Sequence, residues 1–445
     1  MKVPQSAPSV QTLIAQLPPE RSSAVLKHIG ASTVGGRYLH WDELRWRPSP
    51  DGLSVEEWWL ALKVARAAGR KQLPFTDVNG RRFDYILTDE AQEMIHKIDR
   101  HAAGWVEAPD AITNPATRDR YVVTSLMEEA IGSSLLEGAA TTRREAKVLL
   151  RSRRRPRTRA ERMVVNNYLT MQQITQDLTL PLSIEMVKDL HRTVTEGTLA
   201  NPDHAGRFQQ PGDKRVDIGH PHDPDVVFHR PPPAEELDNL LSDLVEWSNT
   251  VGEQPFVHPV IRAIALHFYL AYVHPFVDGN GRTARALFYR SLLRQDYWLA
   301  EFISISPLLR KAPAQYGRAF LYVETDDADF TYFLLHQLDV LCKAIDHLFA
   351  YLERKTDELR SVEHVLRKVP GLNHRQLALL SHALRHPDGS YTIESHRASH
   401  NVTYQTARVD LLDLESREFL EHHTVGRQFW FYPSDLLVDI LTRDI

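Results

Sequence analysis

Apolar side chains recur at three- and four-residue intervals over most of the chain, the spacing that gives a helix one core-facing stripe. The rhythm predicts helices over 121–136, 143–150, 162–175 and 184–193, with Thr141 or Thr142 capping the second. Ile261, Ile264, Ala265 and Phe268 place a core-facing helix across 258–273, and 282–294 reads as another buried helix. Residues 206–233 break the pattern with six prolines and three glycines. There the alternation Val216-Asp217-Ile218, followed by Gly219 and His220, predicts a short surface hairpin. Helical spacing then continues to about residue 360. Near the N-terminus Ser54-Val-Glu-Glu57 is a capping-box pattern that opens a helix. At the other end, helical stretches at 375–384, 392–400 and 403–420 precede a strand-like Gln428-Phe-Trp-Phe-Tyr432. Three helices and a terminal hairpin outline a winged helix. The expected fold class is therefore mainly α with a small β-hairpin. Its parts would be an N-terminal helical subdomain at 1–113, a larger helical domain at 114–360 and a winged-helix-like domain at 361–445.

Composition narrows this only slightly. A chain of 445 residues is long enough for two or three domains. Five of its eight tryptophans (Trp41, Trp46, Trp58, Trp59 and Trp105) fall in the first subdomain, where a compact core explains them better than a binding platform. Net charge is −5, which leaves no general basic field for nucleic acid. From 366 to 445 nine Lys and Arg face ten Asp and Glu, so Arg397, Arg408 and Arg427 are the main support for a DNA contact there. No apolar run is long enough to span a bilayer, and Met1-Lys2-Val3-Pro4-Gln5 does not open a signal peptide. A single cysteine, Cys342, excludes an intramolecular disulfide, and a cytoplasmic, reducing location is the simplest expectation. Six arginines between 151 and 159 read as an exposed, mobile connector. His220, His222 and His229 lack metal-ligand spacing and read as loop surface, whereas His267 reads as packed core.

The chemistry concentrates after the helix at 258–273, which Pro275 stops at His274. Gly279 and Gly281 permit close backbone approach, and their N–H groups, with that of Asn280, stand at a helix N-terminus that attracts anions. Arg282 and Arg285, three apart, share one face of the first turn and can reach one polyphosphate. Asp278 suits Mg²⁺ bridging phosphates, His274 can take a proton, and Phe276 anchors the loop in the core. Together they form a set for in-line phosphoryl or nucleotidyl transfer.

The string His274-Pro-Phe-Val-Asp278-Gly-Asn-Gly-Arg282-Thr-Ala-Arg285 resembles the signature of the Fic family at every fixed position. The resemblance extends over about residues 120–345. It implies AMP transfer from ATP to Ser, Thr or Tyr of a target protein, with His274 as general base, Asp278 on Mg²⁺ and the Gly-Asn-Gly-Arg turn on the phosphates. Ser133-Ser-Leu-Leu-Glu137-Gly138 is similar to the family's inhibitory motif, which implies that Glu137 pairs with Arg285 in place of the ATP γ-phosphate. By the same resemblance Val216, Ile218, Gly219 and His220 form the flap that binds the target segment, and Gln315 and Tyr316 stand near the adenine. Two departures touch nucleotide contacts: Val323 replaces an Asn found in some relatives, and Gln209 stands where an Arg often does. The expected function is thus an autoinhibited protein adenylyltransferase, in some relatives a homodimer. The alternatives are removal of AMP at the same site, or a DNA-binding regulator acting through the C-terminal domain.

Overall fold

The computed structural model describes residues 2–103, 115–152, 154–176, 178–220, 223–250, 252, 255–385, 389–425, 428–434 and 437. They form two compact units, Met1–Leu348 and Phe349–Ile445.

The first unit opens with α1 (Val10–Gln16), α2 (Ser22–Lys27), α3 (Trp41–Leu44) and α4 (Val55–Ala67). Ser54 and Glu57 complete the expected capping box on α4 by exchanging bonds with each other's backbone N–H. Trp41, Trp58 and Trp59 pack in one core cluster as expected, but Trp46 is 77% exposed and Trp105 lies outside the described residues. A hairpin follows, β1 (Lys71–Thr76) with β2 (Arg82–Tyr85), and then α5 (Asp89–Ala102).

The body of the unit is α6 (Pro115–Leu136), α7 (Arg143–Ser152), α8 (Arg159–Gln173) and α9 (Ile184–Thr195), the hairpin β3 (Ile218–His220) and β4 (Asp223–His229), then α10 (Leu237–Asn249), α11 (Pro259–Val273), α12 (Asn280–Arg294), α13 (Ser306–Lys311), α14 (Pro313–Thr325) and the part of α15 (Thr331–Lys368) up to Leu348. Thr142, of the two candidate caps, accepts the Glu145 N–H and so starts α7. Most arginines of the run before α8 are exposed, as expected of a connector, but two of them are tethered. Arg154 pairs with Glu161, and Arg159 donates to the Thr198 carbonyl at 2.8 Å. Almost every residue of α11 is buried, so this helix is the axis of the unit, as its near-continuous apolar sequence requires.

The N-terminal elements are fastened to this body by polar as well as apolar contacts. Phe75 of β1 stacks on Tyr269 of α11 with ring centres 4.3 Å apart, and Phe83 of β2 lies edge-on to Tyr272. Lys63 of α4 makes a 2.6 Å ion pair with Asp326, at the turn between α14 and α15. Tyr38 donates to Asp329 at 2.6 Å, and Arg66 donates to Tyr332 while its guanidinium covers the Tyr38 ring. Charges this deeply buried persist only when paired and hydrogen-bonded, and here they are.

In the second unit α16 (His374–Arg385), α17 (Ile393–His400) and α18 (Tyr404–Ser416) pack with a three-stranded antiparallel sheet. Its strands are β5 (Tyr391–Thr392), β6 (Leu420–Val425) and β7 (Gln428–Pro433), in the order β5-β7-β6. Leu380, Leu411, Leu414 and Phe431 form the centre of its core. Buried Asp410 accepts from Asn373 and Arg375, which ties α16 to α18. The third helix ends at Ser416, short of the expected 420, because Leu420 already belongs to β6. Arg397 pairs with Glu394 on its own helix, and Arg427 lies outside the described residues. No helix among the described residues is long and apolar enough to cross a membrane.

Candidate active site at the turn after the central helix

Helix α11 ends on His274, whose backbone turns left-handed (φ 49°) while its N–H still bonds the Leu270 carbonyl. Two devices hold the turn that follows. The Asn280 side chain accepts the Phe276 N–H at 2.9 Å and donates to the Phe276 carbonyl at 2.7 Å, closing the loop on itself. Gly279 has φ 87°, and a Cβ there would approach the Thr195 methyl to 2.7 Å, so both backbone angle and space call for glycine. Phe276 is fully buried, as the sequence suggested.

His191 of α9, which sequence reading did not single out, supports this turn from below. Its ring stacks on Phe276 with centres 3.7 Å apart. Its Nδ1 accepts the Gly206 N–H at 2.9 Å, so Nε2 carries the proton and donates to the Asp278 carbonyl at 2.8 Å. Burial pushes its pKa down to about 4, which keeps the ring neutral in that tautomer. Arg215 performs the matching task at the helix end. It donates to the Val273 carbonyl at 2.7 Å and to the His274 carbonyl at 3.1 Å, filling the acceptors that a helix C-terminus leaves open. Buried Gln209 also bonds Arg215 and donates its N–H to the Pro275 carbonyl at 2.9 Å. Neither residue sits in a motif; both act through contacts distant in sequence.

The side chains that carry chemistry converge above this scaffold. His274 Nδ1 donates to the Ala271 carbonyl at 3.3 Å, which leaves Nε2 with its lone pair. Burial lowers its pKa to about 4, so the ring is neutral and able to accept a proton near pH 7. Asp278 is 39% exposed; one oxygen accepts from Arg282 at 3.3 Å and the other from Arg159 at 3.0 Å. Arg282 is buried and also donates to the Val194 carbonyl at 2.9 Å. No cluster of three or more His, Cys, Asp or Glu able to hold a metal occurs among the described residues. Asp278 would therefore share any cation with oxygens from a ligand.

Arg285 is buried in α12. Its Nε and Nη2 donate to Ser133 Oγ at 2.9 and 2.8 Å, and Nη2 donates to Glu137 Oε1 at 2.8 Å. Its Nη1 finds no acceptor in hydrogen-bond geometry among the described residues. Burial works against this charge, yet Glu137 and its other neighbours raise the pKa overall. Glu137 follows the last residue of α6, and Gly138 (φ 84°) then turns the chain away in a left-handed cap. Helix α6 is held in place by buried Glu129, which accepts from Tyr289 at 2.9 Å and from the Ser306 N–H at 3.0 Å. Gly281 leaves room for the acid: a Cβ there would fall on Glu137 Oε1 and lie 3.1 Å from Arg285 Nη1, so a side chain at this position would displace the carboxylate.

Glu137, His274, Gly281 and Arg285 line one end of a pocket of about 850 Å³, counted with its open mouth. Ile218, Phe228, Tyr272, Phe320 and Leu321 make the rest of its wall largely apolar, with Tyr316 and Glu324 among them. Of the expected flap residues, Ile218 and Gly219 lie in β3, and His220 pairs with Asp223 in the backbone register. Val216 lies before the strand and is exposed, away from the pocket lining. The side chain of His220 and the whole of His222 fall outside the described residues. His229 is a correction: it is buried, lines the pocket, donates to the Tyr272 carbonyl at 2.7 Å and lies 2.9 Å from Glu324. Its place at the end of β4, against α11 and α14, could not be read from loop-like sequence. Tyr316 reaches the pocket and bonds His267, which is core as expected, whereas Gln315 is exposed and does not line it.

With this geometry in hand, the comparisons with known proteins agree on one family. Residues 181–292 match the model of the Fic/DOC family, so the chain carries a Fic/DOC domain that includes the turn at 274–282. Over 118 residues, 26% of this chain, it is 32% identical to protein adenylyltransferase Fic of Drosophila willistoni, covering 21% of that protein. The Nematostella vectensis protein of the same name is 32% identical over 117 residues and is covered to 24%. The chain thus matches about a quarter or less of the length of these relatives. A crystal structure of a Fic family protein from Desulfovibrio desulfuricans G20 superposes with a TM-score of 0.53 at 18% identity, spanning 82% of this chain and 99% of that one. The fold is therefore that of a helical Fic protein, with only small antiparallel sheets.

Proposed function

We propose that this chain, through its Fic/DOC domain, transfers AMP from ATP to a Ser, Thr or Tyr hydroxyl of a target protein, and that Glu137 restrains the reaction. The observation that carries this reading is Arg285, a buried guanidinium held on two nitrogens by Ser133 and Glu137 while the third opens beside Gly281. A buried cation with one unfilled donor, on the helix whose N-terminus follows the turn, is an anion site.

The reaction follows from the placement of the groups. His274 Nε2 takes the proton of the incoming hydroxyl, whose oxygen attacks the α-phosphorus. The bond from that phosphorus to the bridging oxygen breaks, and pyrophosphate departs. The N–H groups of Asn280 and Gly281, with Arg282, hold the phosphate oxygens, the Gly279 N–H being taken by Asp278 Oδ1, and Arg285 receives the outermost phosphate once Glu137 has left it. Asp278 offers a solvent-facing carboxylate of the hard-oxygen type, and its attraction for two guanidinium groups shows that it accepts positive charge there. It fits Mg²⁺, which would neutralise charge on the phosphates. The edge of β3 offers backbone groups on which an extended target segment can pair.

Incubation with ATP labelled on the α-phosphate tests the reading. Wild type or a Glu137→Gly variant should label itself or a target, and His274→Ala should cut labelling about 10²- to 10⁴-fold while melting like the parent. Labelling that survives His274→Ala would remove the assignment.

A further inference from the structure

The pocket has a phosphate end and an apolar end, and the apolar end contains one acid. Ile218, Phe228, Tyr272, Phe320 and Leu321 make a slot suited to the faces of a flat ring. The polar groups around it are nearly all committed. The Tyr316 hydroxyl bonds His267 at 2.9 Å, and His229 donates to the Tyr272 carbonyl. Glu324 differs. Its Oε1 lies 2.9 Å from His229 Nδ1 without a hydrogen bond between them, and its second oxygen has no hydrogen-bond partner among the described residues. Of the positions that resemblance places near the base, Tyr316 lines the pocket, Gln315 is exposed and off it, and Val323, where some relatives have Asn, is fully buried.

We infer that Glu324 is the residue that reads the nucleotide base, and that it selects a 6-aminopurine over a 6-oxopurine. This rests on the adenylyltransferase reading above. A base delivered into the slot by its anchored phosphates meets a carboxylate acceptor in an otherwise largely apolar wall. An amino group at position 6 donates to it, whereas a carbonyl oxygen at the same position faces it as a second acceptor and is repelled. A site built around one hydrogen bond rejects the analogue that cannot make it more sharply than an apolar slot can.

Calorimetric titration of the full chain carrying Glu137→Gly, with non-hydrolysable ATP and the matching inosine analogue, tests this. The adenine compound should bind about 10-fold or more tightly than the inosine compound, as a bond to a charged acceptor implies. Glu324→Gln, which nearly preserves shape but adds a donor, should reduce that ratio to within about 2-fold. Glu324→Ala should do the same, and thermal melts check that both variants remain folded. A ratio unchanged in both variants overturns the role of Glu324 and leaves the transferase reading standing. Failure of the folded parent to bind either analogue overturns both.

Discussion

Two buried cations in the first unit have opposite designs. Lys63 pairs with Asp326 at 2.6 Å with side chains 1% and 0% exposed, and Asp326 also accepts from the Tyr332 hydroxyl. Arg285 pairs with Glu137 at 2.8 Å, but Glu137 is 29% exposed, belongs to a helix end, and uses only one oxygen in that bond. In the first pair neither partner can leave without stranding a charge in the core. In the second the carboxylate can swing into solvent, and the cation it abandons faces a pocket able to receive another anion. The difference separates an ion pair that holds a fold together from one that occupies a ligand's place. Charge and distance are nearly alike in the two; burial of the acid and its number of bonds distinguish them.

Acid should produce the largest effect, because it unfolds the scaffold of both pairs. His40, His191 and His274 have pKa values pushed down by burial from 6.5 to about 4. Between those values the unfolded chain binds protons that the folded chain does not, so stability is complete above about pH 6.5 and falls as pH drops toward 4. Thermal melts across that window check it; loss confined to lower pH would mean that buried imidazoles contribute little. Next, Asp326→Ala should cost about 3–5 kcal/mol, since it takes from buried Lys63 its 2.6 Å partner and leaves only the more distant Asp327 at 3.7 Å. A denaturant titration showing a loss below about 1 kcal/mol would erase the contrast between the pairs. Gly281→Ala sharpens it further. Beside Glu137 the added methyl should cost about 1–3 kcal/mol by overpacking, and in a Glu137→Gly background much less. Equal costs in the two backgrounds would mean that Glu137 does not occupy the space above Gly281. Smallest of all, Glu137→Gly alone should change stability by less than about 1 kcal/mol, because a partly exposed partner contributes little.

How much of this was legible in the sequence depended on how local each feature is. The turn at 274–282 was readable because its glycines, Asn280, Asp278 and Arg282 are neighbours in the chain and act within one loop and one helix turn. The caps Ser54 and Thr142 were readable for the same reason. Glu137 was accessible only by resemblance, since 148 residues separate it from Arg285. His191, Arg215 and Glu324 carry no local signature at all. Their roles arise where α9, the segment before β3, and α14 meet the end of α11, and a lone His, Arg or Glu on such an element is indistinguishable from any other polar residue. His229 shows the opposite failure: a Pro-rich stretch looked like surface, yet the hairpin folds back and buries its last residue against Tyr272. Lys63 and Arg66 carry no local signature either, because their partners Asp326 and Tyr332 lie 263 and 266 residues away in the chain.

Self-labelling of the Glu137→Gly chain beside wild type, with α-phosphate-labelled ATP and Mg²⁺ at equal protein concentration, tests most directly whether the Arg285–Glu137 pair is built to open. Freed of its internal anion, Arg285 should bind the γ-phosphate, and labelling should rise by about 10-fold or more. Equal labelling by the two proteins would contradict the account, because Glu137 would then be a structural partner of Arg285, as Asp326 is of Lys63.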